Sequence, residues 1–416
     1  DNHDGIEQYD VSVLKLLYLI RYVDDIKANV DNITTLMVDD IRADKITMRK
    51  QIQECLDRLV HENYIARNGD TYTFLTDDEQ DIERDIRNTP VDSAAIVQSI
   101  ATIVFGDLYV SKKFKYGKYD FAYDQIIDDT AIGQLTGAIR LRILTVASDL
   151  YTAPDQMLLM KSNVDNEVIL VLSDKYPYFD DLENAAKIRK YAKSRNVAQL
   201  PEAIQHIIRS KQQQASAYEK TAREHIAAAI LEAKVYVAGE VSSFRSATVK
   251  DKIESALTSL VESVYSKLGY IRRNFDSDSE LLAILNSQAK QLTIGGGVAI
   301  DNPEAVAEIE QFLELQKMKM LPTSMGDIHR RFSAIPYGWR EIDIAAAIVS
   351  LMSVQKVTIQ YGGSTIQPND SHILEYLRRR NGDKTTVAQI RRCSRKPVSF
   401  SKSSSTPWIS PPMRIL

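Results

Sequence analysis

Apolar residues recur at helical spacing from Val11 to Ile20, through Val13, Leu14, Leu17 and Tyr18, and again between Ile46 and Glu62, through Ile52, Cys55, Leu56, Leu59 and Val60. Residues three and four apart share one face of a helix, so both segments read as amphipathic helices over one small core. Two short runs follow, Tyr64-Ile65-Ala66-Arg67 and Thr71-Tyr72-Thr73-Phe74, flanking Asn68-Gly69-Asp70. An Asn-Gly pair tolerates positive φ and suits the turn of a tight hairpin. Helix, short helix, helix and hairpin over residues 10–76 is the order of a winged helix-turn-helix, which makes recognition the first expectation and catalysis the second.

The pattern then changes character several times. Asp77 to Asn88 reads as a charged connecting helix whose first turn Asp77 and Asp78 favour. A new region opens near Pro90, with a helix through Ile96, Val97, Ile100, Val104 and Phe105 and strands at Phe121–Ile127, Ile139–Val146 and Glu167–Leu172. Strand order is not readable from such runs. Helices return at Asp180–Ser194, and Pro201 opens a periodic run to about Ala233, roughly 50 Å of helix at 1.5 Å per residue. Its apolar stripe is narrow and interrupted by Gln212, Gln213 and Gln214, which suits an arm or coiled-coil-like contact as well as a helix lying across its own domain. Val235 to Gly239 is a strand candidate, and Val249 to Leu268 another helix.

Beyond the Gly295-Gly296-Gly297 break, Asn302–Met318 reads as a capped helix. Met325–Phe332, Arg340–Val354, Lys356–Gln360 and a Gly362-Gly363 turn into Ser364–Ile366 then repeat the opening layout without repeating its residues. The expected fold class is therefore mixed α+β, helix-rich and multi-domain, with winged helix-turn-helix domains at both ends around a central α/β and long-helix region. The divisions are 6–88 for the first winged helix, 89–245 for the α/β region with the long helix 201–233, 246–320 for a helical region and 321–378 for the second winged helix. From 379 to 416 a serine- and proline-bearing tail carries Arg379, Arg380, Lys384, Arg391, Arg392, Arg395, Lys396, Lys402 and Arg414 against one acid, Asp383, and is expected to be disordered when alone.

Composition narrows the function classes. A chain of 416 residues with 44% apolar and 26% charged positions is expected to be a soluble globular protein of two to four domains. A net charge of -4 argues against a wholly basic nucleic-acid coat, so any nucleic-acid contact has to come from local patches. Two distant cysteines, Cys55 and Cys393, fit a reducing cytoplasm better than a disulfide or zinc scaffold. No run approaches the roughly 20 apolar residues of a membrane span, and Asp1-Asn2-His3-Asp4-Gly5 is no signal region. A start without methionine points to a piece of something longer.

Catalytic signals are weak. The Gly117-Lys118 pair lacks the rest of a phosphate-binding loop, and the six histidines include no metal-binding pair one helical turn apart. Val168 to Asp174 is an apolar strand ending in a carboxylate, more readily a buried strand than a magnesium-positioning one. The acid pairs Asp39/Asp40, Asp128/Asp129 and Asp180/Asp181 read as solvated turns. Nucleic-acid candidates are stronger. Arg42, Lys45, Arg49, Lys50 and Arg58, with Thr47 and Gln51, decorate the third helix and its approach, and Arg67 sits on the wing, although Asp44, Glu54 and Asp57 dilute the field. In Lys112-Lys113-Phe114-Lys115-Tyr116-Gly117-Lys118, cations could neutralise phosphates while aromatic faces stack on bases; a lysine-guarded edge strand gives the same alternation. In the second winged helix Arg330, Arg331 and Arg340 are the basic residues, and Trp339 is either a core anchor or a docking face.

Asp10 to Ile20, Ile46 to Leu75 with its Asn68-Gly69-Asp70 wing, and Leu172-Ser173-Asp174-Lys175-Tyr176-Pro177-Tyr178-Phe179 resemble the BrxC/PglY family of P-loop proteins from the BREX phage-defence system, over about residues 6 to 378. The resemblance implies a segment of a large AAA+-type ATPase that works with other BREX proteins to restrict phage. No position here matches the family's ATP-binding motif, so ATP and magnesium are expected only for the full-length protein, and this segment is expected to hold no cofactor and to be non-catalytic. It is expected to couple the ATPase to double-stranded DNA, to other BREX components, or to a second copy of itself; a purely protein–protein scaffold is the alternative.

Overall fold

The computed structural model describes residues 6–23, 25–40, 42, 44–291 and 300–390. The Gly295-Gly296-Gly297 break, Cys393, and the tail cations Arg391, Arg392, Arg395, Lys396, Lys402 and Arg414 lie outside these residues. The chain divides into two units, Asp1–Ser263 and Val264–Leu416.

The first unit opens with α1 (Gln8–Ile20), α2 (Val30–Leu36) and α3 (Lys45–His61), then the hairpin β1 (Ile65–Asn68) and β2 (Thr71–Phe74). Polar residues set the helix starts: Asn29 Oδ1 accepts from Asn32 N at 2.8 Å, and Asp44 Oδ1 from Ile46 N at 3.0 Å. The inward faces supply one core of Val13, Leu17, Ile33, Ile52, Cys55, Leu56, Leu59, Ile65 and Tyr72. Buried Asp10 clasps Arg58 at 2.7 and 3.0 Å, fastening α1 to α3. Gly69, at φ +62, turns the hairpin, and Tyr72 N donates to Ala28 O at 2.8 Å, tying it to the approach to α2.

After α4 (Asp77–Arg87) and α5 (Ser93–Thr102), which runs into a π-helical turn at Ile103–Leu108, a seven-stranded sheet begins. Its elements are β3 (Lys113–Tyr116), β4 (Tyr119–Ile127), β5 (Thr130–Ala131), β6 (Ile139–Leu144), α6 (Asp155–Val164), β7 (Glu167–Val171), α7 (Tyr178–Lys193), α8 (Glu202–Glu232), β8 (Lys234–Val237), β9 (Glu240–Ser242) and then α9 (Val249–Val264). The sheet order is β3-β4-β6-β7-β8-β9, with β5 beside β4. Strands β4, β6 and β7 are parallel, while every other pairing is antiparallel. Buried parallel strands read as near-continuous apolar runs, as Glu167-Val168-Ile169-Leu170-Val171 does.

The long helix α8 lies across its own unit. Ile208 and Ala215 pack with Ile82 and Ile86 of α4 and with Ala185, Ile188, Tyr191 and Ala192 of α7. Its last carbonyls are closed by a side chain, since buried Lys252 Nζ donates to Leu231 O and Ala233 O, each at 2.7 Å.

The second unit holds α10 (Asp278–Gln291), α11 (Pro303–Met318), α12 (Met325–Ser333), α13 (Glu341–Ser353), β10 (Val357–Tyr361), β11 (Ser364–Ile366), α14 (Ile373–Leu377), α15 (Arg379–Gly382) and β12 (Thr385–Gln389). Its three-stranded sheet runs β11-β10-β12, antiparallel throughout. Trp339 is a core anchor: its ring stacks on Phe332 at 5.1 Å, and Nε1 donates to Lys267 O at 3.0 Å. One expectation fails here. Residues 385–389, assigned from the sequence to a disordered tail starting at 379, form the third strand. Thr385 and Val387 alternate inward and are buried, the Thr385 hydroxyl donating to Asn381 O at 3.0 Å, and pairing with β10 outweighs the basic context that surrounds them.

Candidate nucleic-acid interface

On α3 the buried positions Ile52, Cys55, Leu56 and Leu59 fix one face, which turns Thr47, Lys50, Glu54 and Asp57 outward. Charge on this helix is segregated along the axis. Its amino-terminal half, Lys45 to Gln51, carries Lys45, Arg49 and Lys50 and no acid; the carboxyl-terminal half carries Glu54 and Asp57 along with Arg58, whose guanidinium is bound to buried Asp10. Lys45, Lys50 and Gln51 are exposed and reach into solvent at the positive end of the helix dipole.

The remaining candidates on this unit are held in place by local bonds. Arg49 Nε meets Asp31 Oδ1 at 2.6 Å, with both side chains more than half exposed, so the pair is worth little and exchanges readily for another anion. Thr47 Oγ1 donates to Asp44 Oδ2 at 2.6 Å, and this bond, with that from Ile46 N, holds the Asp44 carboxyl below the usual carboxylate range. Arg42 is exposed, and its backbone N–H donates to Asp40 Oδ1 at 2.9 Å. Arg67, on the hairpin, donates from Nε to Gly69 O at 3.1 Å and lies over the Tyr72 ring at 5.8 Å.

Lys112, Lys113, Lys115, Tyr116 and Lys118 sit elsewhere, at the edge strand β3 and its turn, where Gly117 has φ +57. Lys113 and Lys115 point outward while Phe114 points in and is buried. Tyr116 is half-buried, with its hydroxyl donating to Glu262 at 3.0 Å. The aromatic faces are therefore packed and not offered to bases, and the lysines stand where they guard a sheet edge. α3 packs with α1, α2 and the hairpin whereas β3 pairs with β4 in the large sheet, so the two sets of candidates stand on different elements.

The acid pairs separate into different environments. Asp128, read from the sequence as part of a solvated turn, is buried beyond β4 at φ +53 and accepts from Thr145 N at 2.7 Å and Thr145 Oγ1 at 2.8 Å. Burial pushes its carboxyl above the usual value against those two bonds, whereas Asp129 stays exposed. Asp181 pairs with His225 Nδ1 at 2.7 Å. The sequence reading also missed a buried ionic group: Arg142 Nε lies 3.2 and 3.1 Å from the two oxygens of fully buried Glu167, and its Nη1 donates to Asp128 O. Its only trace in the sequence is the arginine alternation of Ile139-Arg140-Leu141-Arg142. Among the described residues, no three His, Cys, Asp or Glu side chains are grouped to hold a metal ion, and no helix is long and apolar enough to cross a membrane.

Residues 89–260 match the fourth domain of the BREX ATP-binding protein BrxC, described as having a six-stranded beta sheet, and residues 267–392 match the BrxC winged helix-turn-helix domain. The chain belongs to the BREX BrxC family. The BrxC sheet corresponds to the path β3-β4-β6-β7-β8-β9, and the BrxC winged helix contains α11 to β12, including the third strand that the sequence reading gave to the tail. Helices α1 to α3 and their hairpin precede both matched segments of this BrxC-family chain. No solved structure matches the chain. Family membership makes it a component of a BREX system.

Proposed function

We propose that this BrxC-family chain is a non-catalytic, cytoplasmic part of a phage-defence ATPase that contacts double-stranded DNA, with α1 to α3 and the β1–β2 hairpin acting as a winged helix. One observation carries the reading: apart from Arg58, which is bound to buried Asp10, the charge on α3 is split along its length. Recognition helices present their amino-terminal residues to the groove, and that half of α3 holds Lys45, Arg49, Lys50 and Gln51 free of acids. Arg67 on the hairpin and Arg42 on the approach flank it, each suited to phosphate. Glu54 and Asp57 at the far end limit the cationic surface, which fits weak or sequence-independent contact.

The test is duplex binding by fluorescence anisotropy across a salt series. Lys45→Glu with Lys50→Glu should weaken binding and flatten the dependence of log K on log salt by about two units, one per lost phosphate contact. Binding that ignores both substitutions removes the proposal, as does nucleotide hydrolysis by the purified chain for its non-catalytic part.

A second reading, assembly with other BREX proteins and no DNA binding, is supported by the outer face of α1. Val11, Leu14, Tyr18 and Leu19 line an apolar recess with Phe74, and Tyr18 meets Phe74 edge-on at 5.3 Å. Tyr18, Leu19 and Tyr22 are well exposed, a grouping that marks docking surfaces. Tyr18→Ser with Tyr22→Ser should then abolish co-purification with BREX partners, and the unaltered chain should show no salt-dependent binding of duplex DNA.

A further inference from the structure

A groove of about 830 Å³ lies between α5, α7 and α8. Its floor is apolar and its walls are built for close approach. Ala95, Ser99 and Thr102, at helical spacing on the exposed face of α5, offer no side chain larger than threonine, and Leu182, Ala185 and Ala186 of α7 continue the apolar surface beneath. From Leu182 to Lys193 the α7 wall extends about 16 Å, or three helical turns.

The rim is cationic. Arg189, Lys190, Lys193, Lys220 and Arg223 face Asp92, Asp107 and Glu219, five positive groups against three negative. Internal bonds account for part of this set. Arg189 pairs with Glu219 at 3.0 Å, Arg223 with Asp107 at 3.8 Å, and Lys190 donates to Pro90 O at 2.6 Å. Lys193 and Lys220, on opposite walls, are exposed and carry no ion pair among the described residues.

We propose that this groove receives an amphipathic helix of a partner protein, whose small apolar side chains enter between α5 and α7 and whose flanking Asp or Glu residues meet Lys193 and Lys220. A three-turn slot with small residues on one wall matches the i, i+3, i+4, i+7 ridge of a helix. The surplus positive charge selects an acidic ridge over a basic one. The proposal extends the assembly reading to a second surface, and its test leaves α1 and α3 untouched so that each reading fails separately.

The probe is a fluorescein-labelled peptide of leucines and alanines on one helical face with glutamates beside them, compared with the same peptide carrying lysines in place of the glutamates. Anisotropy with the full chain should show saturable binding of the acidic peptide alone. Lys193→Glu with Lys220→Glu should weaken it about tenfold and admit the basic peptide. Ser99→Arg, at an exposed position of α5, should block both peptides by filling the slot, with hydrogen exchange of α5 and α7 reporting an intact fold. Equal binding of the two peptides, binding unaffected by Ser99→Arg, or no binding of the acidic peptide overturns the proposal. Displacement of the acidic peptide by duplex DNA, or a concentration-dependent dimer lost on Lys193→Glu, does so too by assigning the groove to another occupant.

Discussion

Replacing Arg142 by Met should open the centre of the large sheet. Glu167 is fully buried at the start of β7, and its strongest partner is the Arg142 guanidinium at 3.1–3.2 Å from both carboxylate oxygens. Burial already pushes the Glu167 carboxyl above its ordinary value in spite of Arg142 and Lys161. Removing one member of a buried pair costs about 3–5 kcal/mol, because the remaining charge is left uncompensated. Lys161 Nζ stays 3.7 Å from Glu167, so the expected loss is at the lower end, about 3 kcal/mol. Arg142→Met combined with Glu167→Leu removes both charges at similar volume and should return to within about 1 kcal/mol of the parent. The single variant should also recover on acidification. With its folded pKa raised, Glu167 takes up a proton more readily in the folded state than in the unfolded one, so the penalty fades as pH falls through the raised value toward the ordinary glutamate value of about 4. Hydrogen exchange of peptides covering 139–144 and 167–171 reports this site, because local protection reads local stability. Undiminished protection in Arg142→Met, or a double variant as exposed as the single one, would refute the reasoning.

Three further outcomes follow from local packing. Lys252→Met should destabilise the end of α8 by about 2 kcal/mol, by leaving Leu231 O and Ala233 O without their buried donor; faster exchange at residues 226–233 is the readout. Gly326→Ala should destabilise the second unit by about 1–3 kcal/mol through overpacking, read as a lowered melting temperature by circular dichroism, since the added Cβ would fall within 3.0 Å of Asp383 Cγ and 3.3 Å of its backbone nitrogen. Cys55, whose thiol is pushed up by burial and by Asp10, should resist iodoacetamide at pH 8 in the native protein and react in urea; mass mapping of native protein labelled at Cys55 would contradict the buried placement.

Local periodicity carried most of the helices. The spacing of Val13, Leu17 and Ile20, or of Ile344, Ile348 and Met352, depends on neighbours within two turns, and the structure places α1 and α13 within a residue or two of where that spacing puts them. Pairing is not local, so nothing in Ile139–Leu144 announces that it runs parallel to both β4 and β7. β12 was hidden for a related reason: Thr385 and Val387 gain their meaning only from Val357–Tyr361 opposite. The site was legible in residue types more than in environment. Lys45 and Lys50 are exposed as expected, but the lysine-aromatic alternation of β3 did not reveal that Phe114 turns inward, and the doublet Asp128-Asp129 did not reveal that only its first member is buried. The groove charges Lys193 and Lys220 lie on separate helices, which only folding brings to one rim.

The large sheet is laid down in the order of translation. Each strand on its path lies beside one made before it, so none has to insert between two already paired. For most of synthesis the growing edge is soon covered, but the edge of β7 is an exception. Val168-Ile169-Leu170-Val171 must wait for β8 while residues 172–233, the helices α7 and α8 among them, leave the ribosome. At about 5–20 residues per second that is roughly 3–12 seconds with an apolar strand edge open to other nascent chains. Chaperone dependence during expression should therefore peak before β8 emerges, and chains truncated between 172 and 233 should aggregate more than those ending after Ser242.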